Sequence, residues 1–157
     1  MRAELLIVAL IVGLDQATKA WVLWAYRPWT WPVEVTSFFN LVLVWNQGVS
    51  FGFLQGNDAA VQRWGLTALA VVVACGLWWW LRTGEHGRWQ RWALVLIVAG
   101  ALGNAIDRAI HGAVVDFLDF HVAGWHWPAF NVADSAIVVG AVLLLADGLW
   151  PKRHGST

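Results

Sequence analysis

Four apolar stretches, each long enough to cross the hydrocarbon core of a membrane as a helix, limit what this chain can fold into. A helical span needs about 20 predominantly apolar residues. The sequence of 157 residues is 59% hydrophobic and only 13% charged, which is far from the balance of a soluble domain. We therefore predict an all-α integral membrane protein in which residues 1–157 form a single domain. The predicted transmembrane helices are 3–26, 64–81, 89–110 and 130–150.

The first predicted helix shares features with a cleavable signal peptide, because Arg2 precedes an apolar stretch at 5–14. However, the polar segment 15–19 follows where a cleavage site of small residues would be needed, and the apolar character then resumes. We therefore expect this segment to be a transmembrane helix. The single cysteine, Cys75, lies in the apolar run 66–81, so no intramolecular disulfide can form, and we expect a small buried side chain.

The charged residues exclude one class of partner and predict an orientation. Ten basic and ten acidic residues cancel, so there is no broad basic surface and no nucleic-acid partner is expected. Lys and Arg are enriched in the cytoplasmic flanks of transmembrane helices. This predicts that both termini are cytoplasmic and that the connections 28–58 and 111–128 lie outside. The flanks on the predicted inner side carry Arg2, Arg82, Arg88, Arg91, Lys152 and Arg153, and those on the outer side carry Arg27 and Arg63.

The connection between the first two helices has the composition of short β-strands. Residues 33–36 and 41–44 are rich in β-branched and apolar side chains, and Asn46-Gln47-Gly48 is typical of a turn. We therefore predict a small β-rich extracytoplasmic element between helices 1 and 2. The connection 111–128 is predicted to be another structured, half-apolar loop.

Polar residues recur at one level of the predicted helices. A rise of about 1.5 Å per residue places both Asp15 and Asn104 about 18 Å from the cytoplasmic ends of their helices. Asp15 and Lys19 are spaced i, i+4, as are Asn104 and Arg108, so each pair shares a helix face. We expect these four side chains and Asp107 to hold the bundle together through ion pairs and hydrogen bonds.

Two aspartates flank the outer end of the fourth predicted helix. Asp134 opens the fourth apolar stretch, and Asp116 lies in the loop before it, so the two can meet at the outer surface. A carboxylate at a bilayer boundary is costly to bury, so it needs either a partner that stabilises it or a functional role. Two carboxyls that share one proton can act as base toward water and as acid toward a carbonyl, so we predict that Asp116 and Asp134 hydrolyse a peptide bond. Asp119, three residues further along the chain, is the nearest alternative to Asp116 as the second carboxyl. Taken alone, Asp134 could simply cap its helix.

Histidines in the same region raise the alternative of a metal site. His111, His121 and His126 accompany the aspartates, and His together with carboxylate can bind zinc. However, there is no His-Glu-x-x-His motif, and His spacings of ten and five residues fit no compact ligand pattern. We therefore expect no metal.

Five short sequence blocks give a further indication of function. They are Asp15-Gln16-Ala17-Thr18-Lys19, Asn46-Gln47-Gly48-Val49-Ser50-Phe51-Gly52, Gly100-Ala101-Leu102-Gly103-Asn104-Ala105-Ile106-Asp107-Arg108, Val114-Val115-Asp116-Phe117 and Phe130-Asn131-Val132-Ala133-Asp134. In this order, spread from the first helix to the fourth, they resemble the blocks of the bacterial lipoprotein signal peptidases, also called signal peptidase II. Ala99 departs from the pattern, because a Gly often opens the third block, and this bears only on local helix packing.

The resemblance implies an aspartic endopeptidase of the bacterial inner membrane that works near the outer leaflet without a cofactor. Its expected substrate is a prolipoprotein whose lipobox cysteine carries a diacylglyceryl group, and cleavage on the N-terminal side of that cysteine releases the signal peptide. Membrane lipid is expected as a further partner, and the protein is expected to be a monomer. The resemblance implies Asp116 and Asp134 as catalytic residues and Asn46, Asn104, Arg108 and Asn131 as site-shaping residues. The Asn46-Gln47-Gly48 turn adds Gly48, because it offers backbone and amide groups for substrate binding. Asp15, Lys19 and Asp107 remain expected as structural polar residues.

Two other functions remain open from the sequence. In a small transporter or channel, Asp15, Lys19, Asp107, Arg108 and Asp134 would form an ion path. Such a path needs polar groups through the full depth of the membrane, yet the inner halves of these helices are nearly all apolar. A non-catalytic assembly factor is the second alternative, and peptide cleavage would separate the enzyme from both.

Overall fold

Four long helices form the body of the molecule, in a computed structural model that describes residues 2–48 and 59–149. All four are long and apolar enough to cross a membrane, which confirms the predicted four-helix membrane protein. Three of them begin and end within two residues of the predicted positions. The second begins earlier, at Ala59, because Gln62 and Arg63 interrupt the apolar run without interrupting the helix. The helices are α1 (Arg2–Ala25), α2 (Ala59–Thr83), α3 (Arg88–His111) and α4 (Val132–Leu149).

Helix α3 is the centre of the bundle. Burial within the protein reaches 61% of the residues in its apolar window, against 11–17% in the other three helices. All three of those helices pack against α3. Small residues allow α4 to approach closely, because a Cβ atom on Gly140 would lie 2.7 Å from the carbonyl oxygen of Ala93, and one on Gly100 would collide with that of Ala133. This contact holds the first turn of α4 against α3.

An antiparallel sheet of four strands covers one end of the bundle. The first two strands come from the connection between α1 and α2, as predicted. The other two come from the connection between α3 and α4, which was predicted only as a structured loop, so Asp116 lies on a strand and the expectation of a loop was wrong. The strands are β1 (Val33–Thr36), β2 (Phe39–Asn46), β3 (Val114–Val122) and β4 (Trp125–His126), in the order β1-β2-β3-β4.

The register of β2 with β3 brings distant parts of the chain to one place. Val44 lies opposite Asp116, and Asn40 lies opposite Asp119. Strand β3 follows α3 almost at once, because Gly112 ends the helix with a φ of 80° and its N–H donates to the carbonyl of Arg108 at 3.0 Å. The end of α3, strand β3 and the start of α4 therefore meet at one end of the bundle.

The outward faces of the helices are apolar. Leu6 and Leu10 of α1 are each 70% exposed, and Val72 of α2 is 67% exposed, as expected of surfaces in contact with lipid. Cys75 is also exposed, so the expectation that it is buried was wrong. Val72 and Trp79 of the same helix are exposed as well, whereas Ala74 is buried in the protein core. Val49-Ser50-Phe51-Gly52 of the second sequence block, together with Lys152 and Arg153, lie outside the described residues.

Candidate active site

Asp134 takes part in the cap of helix α4. Asn131 precedes the helix, and its Oδ1 accepts a hydrogen bond from the backbone N–H of Asp134 at 2.9 Å. In return, Oδ2 of Asp134 accepts from the backbone N–H of Asn131 at 3.3 Å. This reciprocal pair has the pattern of a capping box. It leaves Oδ1 of Asp134 to accept from Nδ2 of Asn104 at 2.7 Å, so the carboxyl has one fixed orientation.

Asp116 lies on β3 and is only 1% exposed. Its Oδ1 accepts from Nδ2 of Asn131 at 2.7 Å, and its Oδ2 accepts from Nδ2 of Asn46 at 2.8 Å. Asn131 therefore hydrogen-bonds to both Asp116 and Asp134. The structure brings the two aspartates singled out in the sequence to the same amide side chain.

The surroundings of Asp116 change its acidity. Burial raises the pKa of Asp116 to about 6, and the nearby negative charge of Asp134 acts in the same direction. Hydrogen bonds from Asn46 and Asn131 favour the ionised form and oppose this rise in pKa. Asp116 thus titrates close to neutral pH, where a carboxyl can exchange protons during hydrolysis.

Gly48 fixes the orientation of Asn46. The backbone N–H of Gly48 donates to Oδ1 of Asn46 at 2.8 Å, which leaves Nδ2 to face Asp116. Gly48 has a φ of 81°, and a Cβ atom there would lie 2.6 Å from a side-chain carbon of Leu66. The left-handed backbone conformation therefore favours glycine at this position, whereas the Leu66 methyl group lies at the end of a flexible side chain that can shift.

A cleft of about 470 Å³ opens beside Asp116. Its wall combines apolar and polar groups from β2 with the segment before α4, so an extended peptide could lie against both. The lining residues are Val44, Trp45, Asn46, Gln47, Asp116, Pro128 and Ala129. A larger groove of about 620 Å³ borders α1, α2 and α3, but its polar lining consists of Cys75, Arg82 and Thr83 and contains no carboxyl pair.

Comparison with known proteins gives the family of this chain. A family described as signal peptidase (SPase) II matches residues 7–150. The lipoprotein signal peptidase of Paraburkholderia phytofirmans is 54% identical over 147 residues, covering 90% of this chain and 82% of the relative. That of Burkholderia thailandensis is 50% identical over 142 residues, covering 89% and 83%. The chain belongs to the signal peptidase II family.

Solved structures agree with this assignment. A bacterial membrane enzyme with 28% sequence identity superposes with a TM-score of 0.83, covering 97% of this chain and 96% of that one. A second bacterial membrane enzyme, 29% identical, has a TM-score of 0.80 over 100% and 96% of the two chains. The resemblance drawn from the five sequence blocks is confirmed. Membership of an aspartic peptidase family also decides against the transporter and the assembly factor.

In this peptidase, Asp119 lies apart from the Asp116 and Asp134 pair. Asp116 and Asp119 are three residues apart on one strand, so their side chains point to opposite faces of the sheet. Burial alone would raise the pKa of Asp119. Hydrogen bonds from His126 at 2.9 Å and Asn40 at 3.1 Å, together with the charges of His126 and His121, hold that pKa below its usual value. The geometry therefore favours Asp116 over Asp119 as the partner of Asp134.

The three histidines of the proposed metal alternative do not share one site. His121 and His126 stack with ring centroids 4.8 Å apart, whereas His111 packs its ring against Trp45. Within residues 2–48 and 59–149, no group of three or more His, Cys, Asp or Glu side chains is arranged to hold a metal ion.

The polar residues of α1 and α3 meet next to the aspartate pair. Lys19 forms ion pairs with Asp15 at 2.8 Å and with Asp107 at 2.9 Å. Arg108 donates from NH1 to the carbonyl of Asn104 at 3.5 Å, and its buried Nε has no hydrogen-bond partner among the described residues. The charge of this guanidinium also interacts with Asp134, Asp116 and Asp107.

Two polar residues were missed in the sequence, one in this cluster and one beside Asp119. Gln16 donates to Oδ1 of Asp107 at 2.9 Å and to Oδ2 of Asp15 at 3.1 Å, although the sequence analysis gave it no role. Its place between Asp15 and Lys19 in the first block was the available signal. Asn40, which holds Asp119, was also missed, since only the pairing of β2 with β3 brings it there.

Proposed function

We propose that Asp116 and Asp134 are the catalytic pair with which this signal peptidase II family member hydrolyses the peptide bond before the lipid-modified cysteine of a prolipoprotein. The observation that carries the proposal is the double contact of Asn131, whose side chain donates to Asp116 and accepts from the backbone of Asp134. Two carboxyls held this close disfavour simultaneous ionisation, so the pair retains one proton.

The reaction proceeds in two proton-balanced steps. The ionised carboxyl takes a proton from water while the water oxygen bonds to the scissile carbonyl carbon, and the protonated carboxyl gives its proton to the carbonyl oxygen. The resulting diol then collapses. One carboxyl protonates the departing nitrogen as the C–N bond breaks, and the other takes back a hydroxyl proton. The products are a carboxylic acid on the signal peptide and a free amine on the cysteine.

Each proton in this cycle is given or taken by the two carboxyls, so no metal or other cofactor is needed. The cleft beside Asp116 would hold the peptide against β2, where Gln47 and the residues around it offer backbone and amide groups to an extended chain. Asn104 donates a hydrogen bond to Asp134, and the charge of Arg108 acts on both carboxyls of the pair. The diacylglyceryl chains of the substrate would remain among the membrane lipids beside the exposed apolar helix faces.

This proposal includes a location and an assembly state. The chain acts as a monomer and a single domain in the bacterial inner membrane, with both termini in the cytoplasm and the aspartate pair near the outer leaflet. The excess of Arg and Lys in the predicted inner flanks supports the orientation.

The test compares three Asp-to-Asn variants in cleavage of a diacylglyceryl-modified prolipoprotein by purified protein. Asp116→Asn and Asp134→Asn should each lower turnover by at least about 10²–10⁴-fold, because each removes a titrating group used in both steps. Asp119→Asn is the matched control on the same strand and should retain most turnover. Activity of the unchanged protein should also survive a metal chelator.

Substantial cleavage by folded Asp116→Asn or Asp134→Asn protein would overturn the assignment. If Asp119→Asn were the inactive variant instead, the second carboxyl would have been chosen wrongly. Loss of activity in chelator, restored by added zinc, would replace the aspartic mechanism with a metal-assisted one.

A further inference from the structure

The ammonium group of Lys19 is buried between three acceptors next to the aspartate pair. Its Nζ lies 2.8 Å from Oδ2 of Asp15, 2.9 Å from Oδ2 of Asp107 and 3.3 Å from Oδ1 of Asn104. The side chains of Lys19 and Asp107 are each 3% exposed, and that of Asp15 is 0% exposed. A lysine ammonium has three N–H donors, so this geometry gives each donor one acceptor.

Both carboxylates that hold Lys19 also bond to backbone next to the aspartate pair. Asp15 accepts through Oδ1 from the N–H of Ala133 at 2.9 Å, and Ala133 immediately precedes Asp134. Asp107 accepts through Oδ2 from the N–H of Val115 at 3.0 Å, and Val115 immediately precedes Asp116. One cation thus joins the two backbone segments that carry Asp134 and Asp116, although the segments belong to a helix and a strand.

Lys19 also decides which way the amide of Asn104 points. A cation cannot accept a hydrogen bond, so the oxygen of the Asn104 amide must face it. That oxygen also accepts from Nδ2 of Asn131 at 3.3 Å. The amide nitrogen of Asn104 is left to donate to Asp134 at 2.7 Å.

We infer that Lys19 is a positioning residue for hydrolysis, because its ammonium holds Asp15, Asp107 and Asn104 so that Asp116 and Asp134 keep the separation at which they share one proton. This inference rests on the proposed catalytic role of the pair. It goes beyond holding helices together, which another ion pair in the bundle already does. Glu4 of α1 and Arg91 of α3 join the same two helices without contacting the aspartate pair.

Lys19 should also influence proton uptake at the site. Its positive charge favours the ionised form of Asp116 and so opposes the rise in the pKa of Asp116 that burial causes. The proton on Asp116 is the one that the pair retains, so removing the charge of Lys19 should move the alkaline limb of the activity profile, where this proton is lost, to higher pH. The other charged groups that face Lys19 or the pair are Asp15 on α1, Asp107 and Arg108 on α3, and Asp134 on α4.

The experiment compares Lys19→Met with the matched control Arg91→Met, each of which removes one cation between α1 and α3. For both, the thermal midpoint, kcat, KM and the pH profile of prolipoprotein cleavage are measured where the protein is fully folded. Lys19→Met should lower kcat by about 100-fold with little change in KM, because a small displacement of reacting groups costs about this much. Its alkaline limb should move to higher pH. Arg91→Met should change neither kcat nor the alkaline limb.

Lys19→Gln provides a second variant if Lys19→Met does not fold, because it keeps N–H donors without the charge, and the same loss of kcat is expected. Unchanged kcat in folded protein of either variant would overturn the inference. A loss of kcat that only parallels the fall in thermal stability would also overturn it, as would failure of both variants to fold. A different result would contradict the proposed function, namely cleavage of the prolipoprotein by folded Asp116→Asn or Asp134→Asn protein.

Discussion

At the scale of single residues, the candidate site is shaped by amide side chains whose orientations are fixed by hydrogen bonds to their oxygen atoms. The oxygen of Asn46 accepts from Gly48, that of Asn104 accepts from Lys19, and that of Asn131 accepts from the backbone of Asp134. Each amide nitrogen is therefore turned toward a carboxyl of the pair. Three donors presented in this way stabilise negative charge on the pair without adding a positive charge of their own.

The hydrogen bond from Asn46 predicts a shift in pH dependence. It favours ionised Asp116, so Asn46→Ala should raise the pKa of that carboxyl further above its present value of about 6. The pair would then keep its shared proton to higher pH, and the alkaline limb of the cleavage profile should move up by about one pH unit.

Asn40→Ala is the control for this measurement, because Asn40 also lies on β2 but donates to Asp119 at 3.1 Å. Its alkaline limb should stay with that of the unchanged protein. An Asn46→Ala profile whose alkaline limb stays in place or moves down would contradict the role given to this hydrogen bond.

At the scale of elements, the sequence predicts what depends on local composition and misses what depends on distant pairing. Apolar length was enough to find α1 to α4, and the β-branched runs were enough to find β1 and β2. Strand β3 was missed because its residues, Val114–Val122, gain their partners only from β2, and Asp116 was therefore assigned to a loop. The polar cluster was foreseen because i, i+4 spacing and depth are both local quantities.

The failed expectation for Cys75 has a different cause. In water, an apolar side chain indicates the buried face of a helix, but in a membrane the outer face is apolar as well. Helix α2 carries apolar side chains around most of its circumference, so composition does not distinguish its protein-facing side from its lipid-facing side. Only the packing against α3 shows that Cys75 faces outward.

The close contact of α3 with α4 predicts a difference between two glycine substitutions. Gly100→Ala should lower stability by about 1–3 kcal/mol, because the new methyl group meets the backbone carbonyl of Ala133 and must push the start of α4 away. Turnover should fall too, since Asp134 lies in the same turn. Thermal unfolding and cleavage assays measure both effects.

Gly13→Ala on α1 is the matched substitution, because nothing lies within 4 Å of the position its Cβ would occupy. It should leave turnover unchanged and leave stability equal or higher, as alanine favours a helix over glycine. Equal behaviour of the two variants would mean that the approach of α4 to α3 does not position Asp134.

At the scale of the whole molecule, the sheet and the aspartate pair lie together at one end of the bundle, so a single orientation decides which side of the membrane they face. The flanking charges predict that this end lies outside the cytoplasm. A reporter enzyme that works only outside the cytoplasm should be inactive when fused after Thr157 and active when fused after Gly124, at the turn between β3 and β4. Reporter activity of the fusion after Thr157 would contradict the predicted orientation.

The hydrogen bond between Asp15 and Ala133 joins residues that are far apart in the sequence, and this has a consequence for biosynthesis. Asp15 and Ala133 are separated by 118 positions, and Asn46 and Asp116 by 70, so a nascent chain on the ribosome has no assembled site until α4 emerges. Meanwhile α1 enters the membrane with Asp15 already paired to Lys19 within its own helix. When α3 follows, its Asp107 meets a lysine that is already in place. Within this polar cluster, Asp107 is thus met by an older partner, and Asp116 and Asp134 are made last.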